Sequence, residues 1–195
     1  LTVNIIDIIN TTLKEYRNLK VEVVVYDKLG KKIAFTTEDS HVTANALTPV
    51  TQLEDIKELP DFCWVKLVLT TNNGKLLDDN VYWLNQKEWE EGLANLPVSS
   101  VNVFGEELHE KDNHYEGRLI VKNPGNTAAA IALTLRDAKT DAAVRPAYFD
   151  DGYFYLMPGE SKEVCFQVDC KEGVDKLLLR VDGYNVELKD ILLNR

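Results

Sequence analysis

The sequence is short of several things at once. In 195 residues it has three cysteines, three histidines and one methionine. Cys63, Cys165 and Cys170 form an odd set with no CxxC spacing and no histidine beside them, so no metal is expected. A turn could let Cys165 and Cys170 pair; free, partly buried thiols are the simpler expectation. No apolar run approaches the roughly 20 residues that cross a bilayer, so no membrane partner is expected. The opening residues Leu1-Thr2-Val3-Asn4-Ile5 have neither a basic start nor an unbroken apolar stretch, and read as strand rather than signal peptide. With no initiator methionine, they read as cut from something longer. Basic residues are also scarce, 22 against 32 acidic, for a net charge of −10. Without a cluster of Lys and Arg, such a surface repels phosphate backbones, and no nucleic acid partner is expected. A neutral ligand such as a sugar remains compatible.

The chemistry-bearing patterns are thin as well. No GxSxG is present, and no histidine sits beside a serine or cysteine in a nucleophile-elbow pattern. Lys122-Asn123-Pro124-Gly125 lacks the GK[ST] ending of a phosphate loop. His109 and His114 flank a polar stretch with Glu110 and Asp112, read here as a solvated hairpin loop. Asp78-Asp79 and Asp150-Asp151 are carboxylate pairs, the residue type of calcium binding and glycosidic acid–base work. Neighbours on a strand point to opposite faces, however, and Asp is a turn residue. The expectation is no catalytic residue, no cofactor and no metal ligand.

What is there is strand. Val21, Val23 and Val25 alternate in LKVEVVVYD, and Val65, Leu67 and Leu69 in CWVKLVLTT. Lys28 to Lys31 and Asn72 to Lys75 read as tight turns, the second with a hairpin Asn-Gly. Thr36 to Leu47 is expected to hold a short strand, Pro49 to Pro60 to be a polar connection, and Asp79 to Leu84 to close the first half. In the second half Ile131, Leu133 and Leu135 share a face, as do Val164, Phe166 and Val168, and Leu177, Leu179 and Val181. Ile131, Leu133, Leu135, Phe166 and Leu179 are expected in one core, with Asn185 to Lys189 as a last edge segment. Strands every 10 or so residues with turns between predict an all-β fold, two tandem immunoglobulin-like β-sandwiches over 1–90 and 91–195. The first reads as short of a strand, which would lie upstream of Leu1 and leave a sheet edge unpaired.

The charged stretch Asn85 to Pro97 reads as the linker, with Trp89 and Leu93 four apart on a helical turn. Aromatic residues are the remaining candidates for contact. Trp64 should face away from Val65, Leu67 and Leu69, leaving it to an inter-domain contact, a second layer of core, or a sugar. Val81 and Trp83 fall on one face and Tyr82 and Leu84 on the other. Trp83 or Tyr82 is expected to pack on the linker and fix the two domains. Trp64, Tyr82, Trp83 and Trp89 are therefore the possible interface or sugar-contact residues.

Three stretches carry a family resemblance. Asp79-Asn80-Val81-Tyr82-Trp83-Leu84 resembles the Asn-x-Tyr-Trp strand closing the penultimate domain of exo-acting β-mannosidases and exo-β-glucosaminidases of glycoside hydrolase family 2. Asn123 to Val164, with its Asn-Pro, its acidic turn before Tyr-Phe and its Leu-x-Pro-Gly-Glu turn, resembles the last immunoglobulin-like domain of that group. Gly92 to Pro97 resembles the join between them. The resemblance implies that the catalytic glutamates lie on a (β/α)8 barrel outside this sequence. It implies a retaining parent enzyme acting on β-mannosides or related β-glycosides, in the periplasm or outside the cell. The chain would then be non-catalytic, with the parent's barrel as its partner. A carbohydrate-binding module and an adhesion or interaction module are the alternatives.

Overall fold

The computed structural model describes residues 4–56, 58–85, 95–105, 108–112, 114–169 and 176–193. The chain divides into two compact units, Leu1–Asn95 and Leu96–Arg195, so the division falls after Asn95 rather than after residue 90. Trp89 and Leu93, and with them the expected helical turn and its packing, lie outside the described residues.

The first unit runs β1 (Ile5–Asn10), β2 (Tyr16–Tyr26), β3 (Lys32–Val42), β4 (Ala46–Gln52), α1 (Leu53–Ile56), β5 (Phe62–Thr71) and β6 (Leu76–Asn85). Four strands form one sheet in the order β3-β2-β5-β6, and β1 and β4 form another. Val21, Val23, Val25 and Val65 of the larger sheet meet Ile6 and Ile8 of the smaller in one buried cluster. Alternation drives this arrangement, because a period of two puts every second side chain on the core face. Two hairpins share one turn geometry. The Gly30 amide donates to the Asp27 carbonyl and the Gly74 amide to the Thr71 carbonyl, with φ of 88° and 78°. Both positions need the left-handed conformation that glycine adopts without strain.

Two expectations in this half need correcting. The short strand expected within Thr36 to Leu47 is the 11-residue β3. Pro49 lies inside β4 rather than starting a connection. It is tolerated because, among the described residues, β4 pairs with β1 alone, and because the pairing register shifts beside it, between Ile6 and Asp7.

The second unit runs β7 (Asn102–Phe104), β8 (Leu108–Lys111), β9 (His114–Lys122), β10 (Ala129–Asp137), β11 (Ala147–Phe149), β12 (Tyr153–Leu156), β13 (Ser161–Asp169), β14 (Leu177–Asp182) and β15 (Lys189–Leu192). One sheet has the order β12-β10-β14-β15; the other is β11-β13-β9-β7, with β8 also on β9. Ile131, Leu133, Leu135, Phe166 and Leu179 lie in one buried cluster between them, as expected. The last strand is Lys189–Leu192, not Asn185 to Lys189. Asn185 is instead a buried clamp. Its side-chain nitrogen donates to the carbonyls of Pro97 and Ala128, and its oxygen accepts from the Ala130 amide. Asn123, also buried, donates to the carbonyls of Thr127 and Leu156 and accepts from the Gly125 amide. Each asparagine thereby satisfies backbone groups that strand pairing leaves over.

Candidate functional site

Pairing in the first unit sets Tyr26, Trp64 and Trp83 side by side across β2, β5 and β6. They occupy the face opposite Val25, Val65 and Tyr82. Trp64 does face away from the Val65 cluster, yet none of its surface is exposed. Its indole N–H donates to the Lys28 carbonyl at 3.0 Å, and its ring meets Phe62 edge-on at 5.2 Å. Trp83 stacks on Phe62, at 6.2 Å and 16° between planes. Phe62, Trp64 and Trp83 therefore form a second apolar layer on the back of the sheet. A sugar ring cannot stack on a side chain with no exposed face, so Trp64 is no sugar contact in this structure. Tyr82 differs: it is 49% exposed, and its hydroxyl accepts from the Asn80 side-chain amide at 3.0 Å. The structure brings Trp64 and Trp83 together and leaves Tyr82 apart on the opposite face; Trp89 lies outside the described residues.

The carboxylate pairs resolve into turn and sheet chemistry. Asp78 and Asp79 sit opposite Leu69 and Val68 in β6, on alternate faces. Asp150 accepts from the amides of Asp151 and Cys165, while Asp151 pairs with Lys162 at 2.6 Å. The stretch around His109 and His114, expected as a solvated hairpin loop, is the β8–β9 hairpin, with His109 in β8 and His114 opening β9. His114 Nε2 lies 3.0 Å from Glu116, and that hydrogen bond, with Lys111 nearby, holds the Glu116 carboxyl below the usual carboxylate range.

An open groove crosses the outer face of the β11-β13-β9 sheet, lined by His109, Glu116, Arg118, Tyr148, Asp150 and Gln167. This grouping was missed from sequence. The alternation of β9 and β13 marks these residues as outward, but only the register opposes Glu116 to Gln167 and Gln167 to Tyr148. Glu116 and Asp150 are each engaged locally, as above. Among the described residues, no three His, Cys, Asp or Glu side chains are placed to hold a metal ion. Cys63 is buried and Cys165 exposed, both as free thiols; Cys170 lies outside the described residues. Burial pushes the Cys63 thiol up to about 11, away from nucleophilic chemistry.

The two units, with Trp64 and Trp83 in the apolar layer behind the first sheet, define a class: tandem immunoglobulin-like β-sandwich domains. Residues 80–186 match the Ig-fold domain of exo-β-D-glucosaminidases, and residues 6–86 match the mannosidase Ig/CBM-like domain. The chain belongs to the exo-β-D-glucosaminidase Ig-fold domain family, with relatives in glycoside hydrolase family 2. It is 26% identical over 191 residues to an exo-β-D-glucosaminidase of Arthroderma benhamiae, covering 89% of this chain and 21% of that protein. It is 27% identical over 202 residues to that of Hypocrea jecorina, covering 91% and 22%. The chain thus spans about a fifth of the length of these curated relatives. The crystal structure of the Amycolatopsis orientalis exo-chitosanase has the same fold at a TM-score of 0.84, with 22% identity, over 96% of this chain and 25% of that one. The Dictyoglomus thermophilum β-D-mannosidase follows at 0.59, with 20% identity, over 95% and 22%.

Proposed function

We propose that this chain is the non-catalytic, C-terminal sandwich pair of a retaining family 2 exo-glycosidase, and that it braces the catalytic barrel of that enzyme. The observation that carries the reading is its match along nearly its whole length to about a fifth of two exo-β-D-glucosaminidases. The carboxylates support it. A glycosidase needs two acids flanking one bond, whereas Asp78 and Asp79 lie on alternate faces and Asp150 and Asp151 are held by amides and Lys162. The parent's substrate is then a β-glucosaminide or a β-mannoside, and its barrel supplies the acids.

Nitrophenyl β-glucosaminide and β-mannoside, offered to this chain and to the intact parent protein, test the reading. Hydrolysis is expected from the parent and none from the chain. Turnover by the chain that disappears on mutating one of its own carboxylates overturns it. Titration of the chain with chitosan and mannan oligomers is expected to show no binding; binding instead favours a carbohydrate-binding module.

A further inference from the structure

The smaller sheet of the first unit departs from the pattern of the larger one. In β2 the positions turned away from the core carry Lys20 and Glu22, as suits a strand with one wetted face. In β1 Ile6 and Ile8 are buried, yet the outward residues are Ile5, Asp7 and Ile9. Register sets Ile9, 70% exposed, directly opposite Leu47 of β4, which is 56% exposed. Pro49, opposite Asp7, is exposed as well. Leu13, 90% exposed, lies in the loop after β1. That loop is pinned. The Asn10 side chain donates to the Lys14 carbonyl and accepts from the Thr12 amide, and the Thr12 carbonyl accepts from the Asn45 amide. Leu13 is thereby kept at the Ile9–Leu47 end of the sheet. A strand apolar on both faces is one covered on both. Another exposed apolar pair, Phe104 opposite Ile120 in the second unit, differs in its surroundings. Arg118 and Lys122 flank Ile120 and Glu163 opposes it, so that face is an ordinary polar one.

We propose that this outer face of β1 and β4 is the surface through which the chain braces the catalytic barrel of its parent enzyme. The proposal rests on the functional reading above and adds the contact to it. A second copy of the chain competes for the same face, and size separates the two. The exposed aliphatic side chains offer on the order of a few hundred Å². A stable complex of separate chains buries about 800 Å² on each partner, so a second copy is held too weakly. A body on the same polypeptide needs less contact, because the covalent connection keeps its effective concentration high. Proteins of the relatives' length have room for that body, since this chain spans 21% and 22% of them. Charge argues the same way. Asp7 lies between Ile5 and Ile9 on the patch, so two copies meeting about a two-fold axis bring two carboxylates together out of water. On a barrel the matching surface is the outer ring of helices. The face then specifies apolar side chains opposite Ile9 and Leu47, and a Lys, an Arg or a free backbone amide opposite Asp7.

Hydroxyl-radical footprinting of this chain and of the intact parent protein tests the proposal. Leu13 and Leu47 should be modified several-fold more slowly in the parent, at every protein concentration. Leu29, a lone exposed side chain in the turn between β2 and β3, should react alike in both. In the parent, p-benzoylphenylalanine in place of Leu47 should photo-cross-link to a peptide of the barrel. Leu47→Lys provides a third readout. In the chain alone the lysine stem can lie along the sheet with its ammonium in water, so the unfolding midpoint barely moves. In the parent the barrel closes that exit, and the midpoint falls clearly. Equal modification of chain and parent overturns the proposal, as does a cross-link to any peptide outside the barrel. Protection that appears in the chain alone as its concentration rises assigns the face to a second copy and also overturns it. A parent without glycosidase activity sinks the functional reading and leaves the footprint and the cross-link as they are.

Discussion

The two sandwiches solve the same problem to different degrees. In the second unit a sheet of four strands meets one of five, and a buried cluster running from Val101 to Leu193 fills the space between them. In the first, two strands meet four, and Leu67, Leu69 and Leu84 stay at the margin of the core. Both units carry the same alternating strands, so local pattern is not what separates them. The difference is coverage. A β-sheet is stable in proportion to the apolar face that another layer takes from water, and the described residues of the first unit leave part of that face uncovered.

Paired substitutions put that contrast to work. The largest effect is expected at Leu133, fully enclosed in the second core. Leu133→Ala should cost about 2–5 kcal/mol, whereas Leu67→Ala should cost about 1–2 because water can enter the site and no closed cavity remains. Denaturant unfolding followed separately for the two units measures both. Asn185→Ala should come next, with a loss of about 1–3 kcal/mol as buried amide and carbonyl groups lose their partner. Asn10, which donates to the carbonyls of Lys14 and Thr43, is the matching clamp of the first unit, and Asn10→Ala should lower that unit's midpoint alone. Thiol labelling at pH 8, read peptide by peptide, should modify exposed Cys165 quickly and reach Cys63 only when the first unit opens.

The smallest effect is electrostatic. Arg180 holds Asp190 through two contacts of 2.7 Å and keeps its carboxyl below the ordinary value near 4. A depressed folded pKa stabilises above the unfolded value and loses that contribution as pH falls through the folded one. Asp190→Asn should therefore flatten the acid side of the second unit's stability profile below about pH 4. In the first unit Arg17 and Glu15 form an exposed pair at 2.8 Å, and Glu15→Gln should leave the midpoint unchanged.

Much of this was legible in the sequence because long strands announce themselves. In β2, β10, β13 and β14 apolar residues recur at every second position over 19–25, 129–135, 164–168 and 177–181, and the structure buries those residues. The strands β7, β8 and β11 have three or four residues each, too few for a period of two to stand out. Pro49 hid β4, since proline argues against a strand until an edge position and a register shift are known to accommodate it. The candidate residues divided in the same way. Alternation placed Trp64, and Phe62 two residues before it, on the face opposite Val65, but pairing alone brings Trp83 to that face from β6, and alternation could not say whether the layer was covered. The outer groove of the second unit depends on register between strands far apart in sequence, which no single stretch encodes.

Among the described residues one edge of β1 pairs with no strand, and that has a consequence for symmetry. An antiparallel strand edge is complementary to itself, so two bare copies can meet about a two-fold axis, each β1 bonding the other. That contact is isologous, and it consumes the edge on both partners. Growth through β1 therefore stops at a pair and does not continue into a fibre. With a net charge of −10 the two copies repel at neutral pH. Near the isoelectric point of about 4.8 that repulsion vanishes.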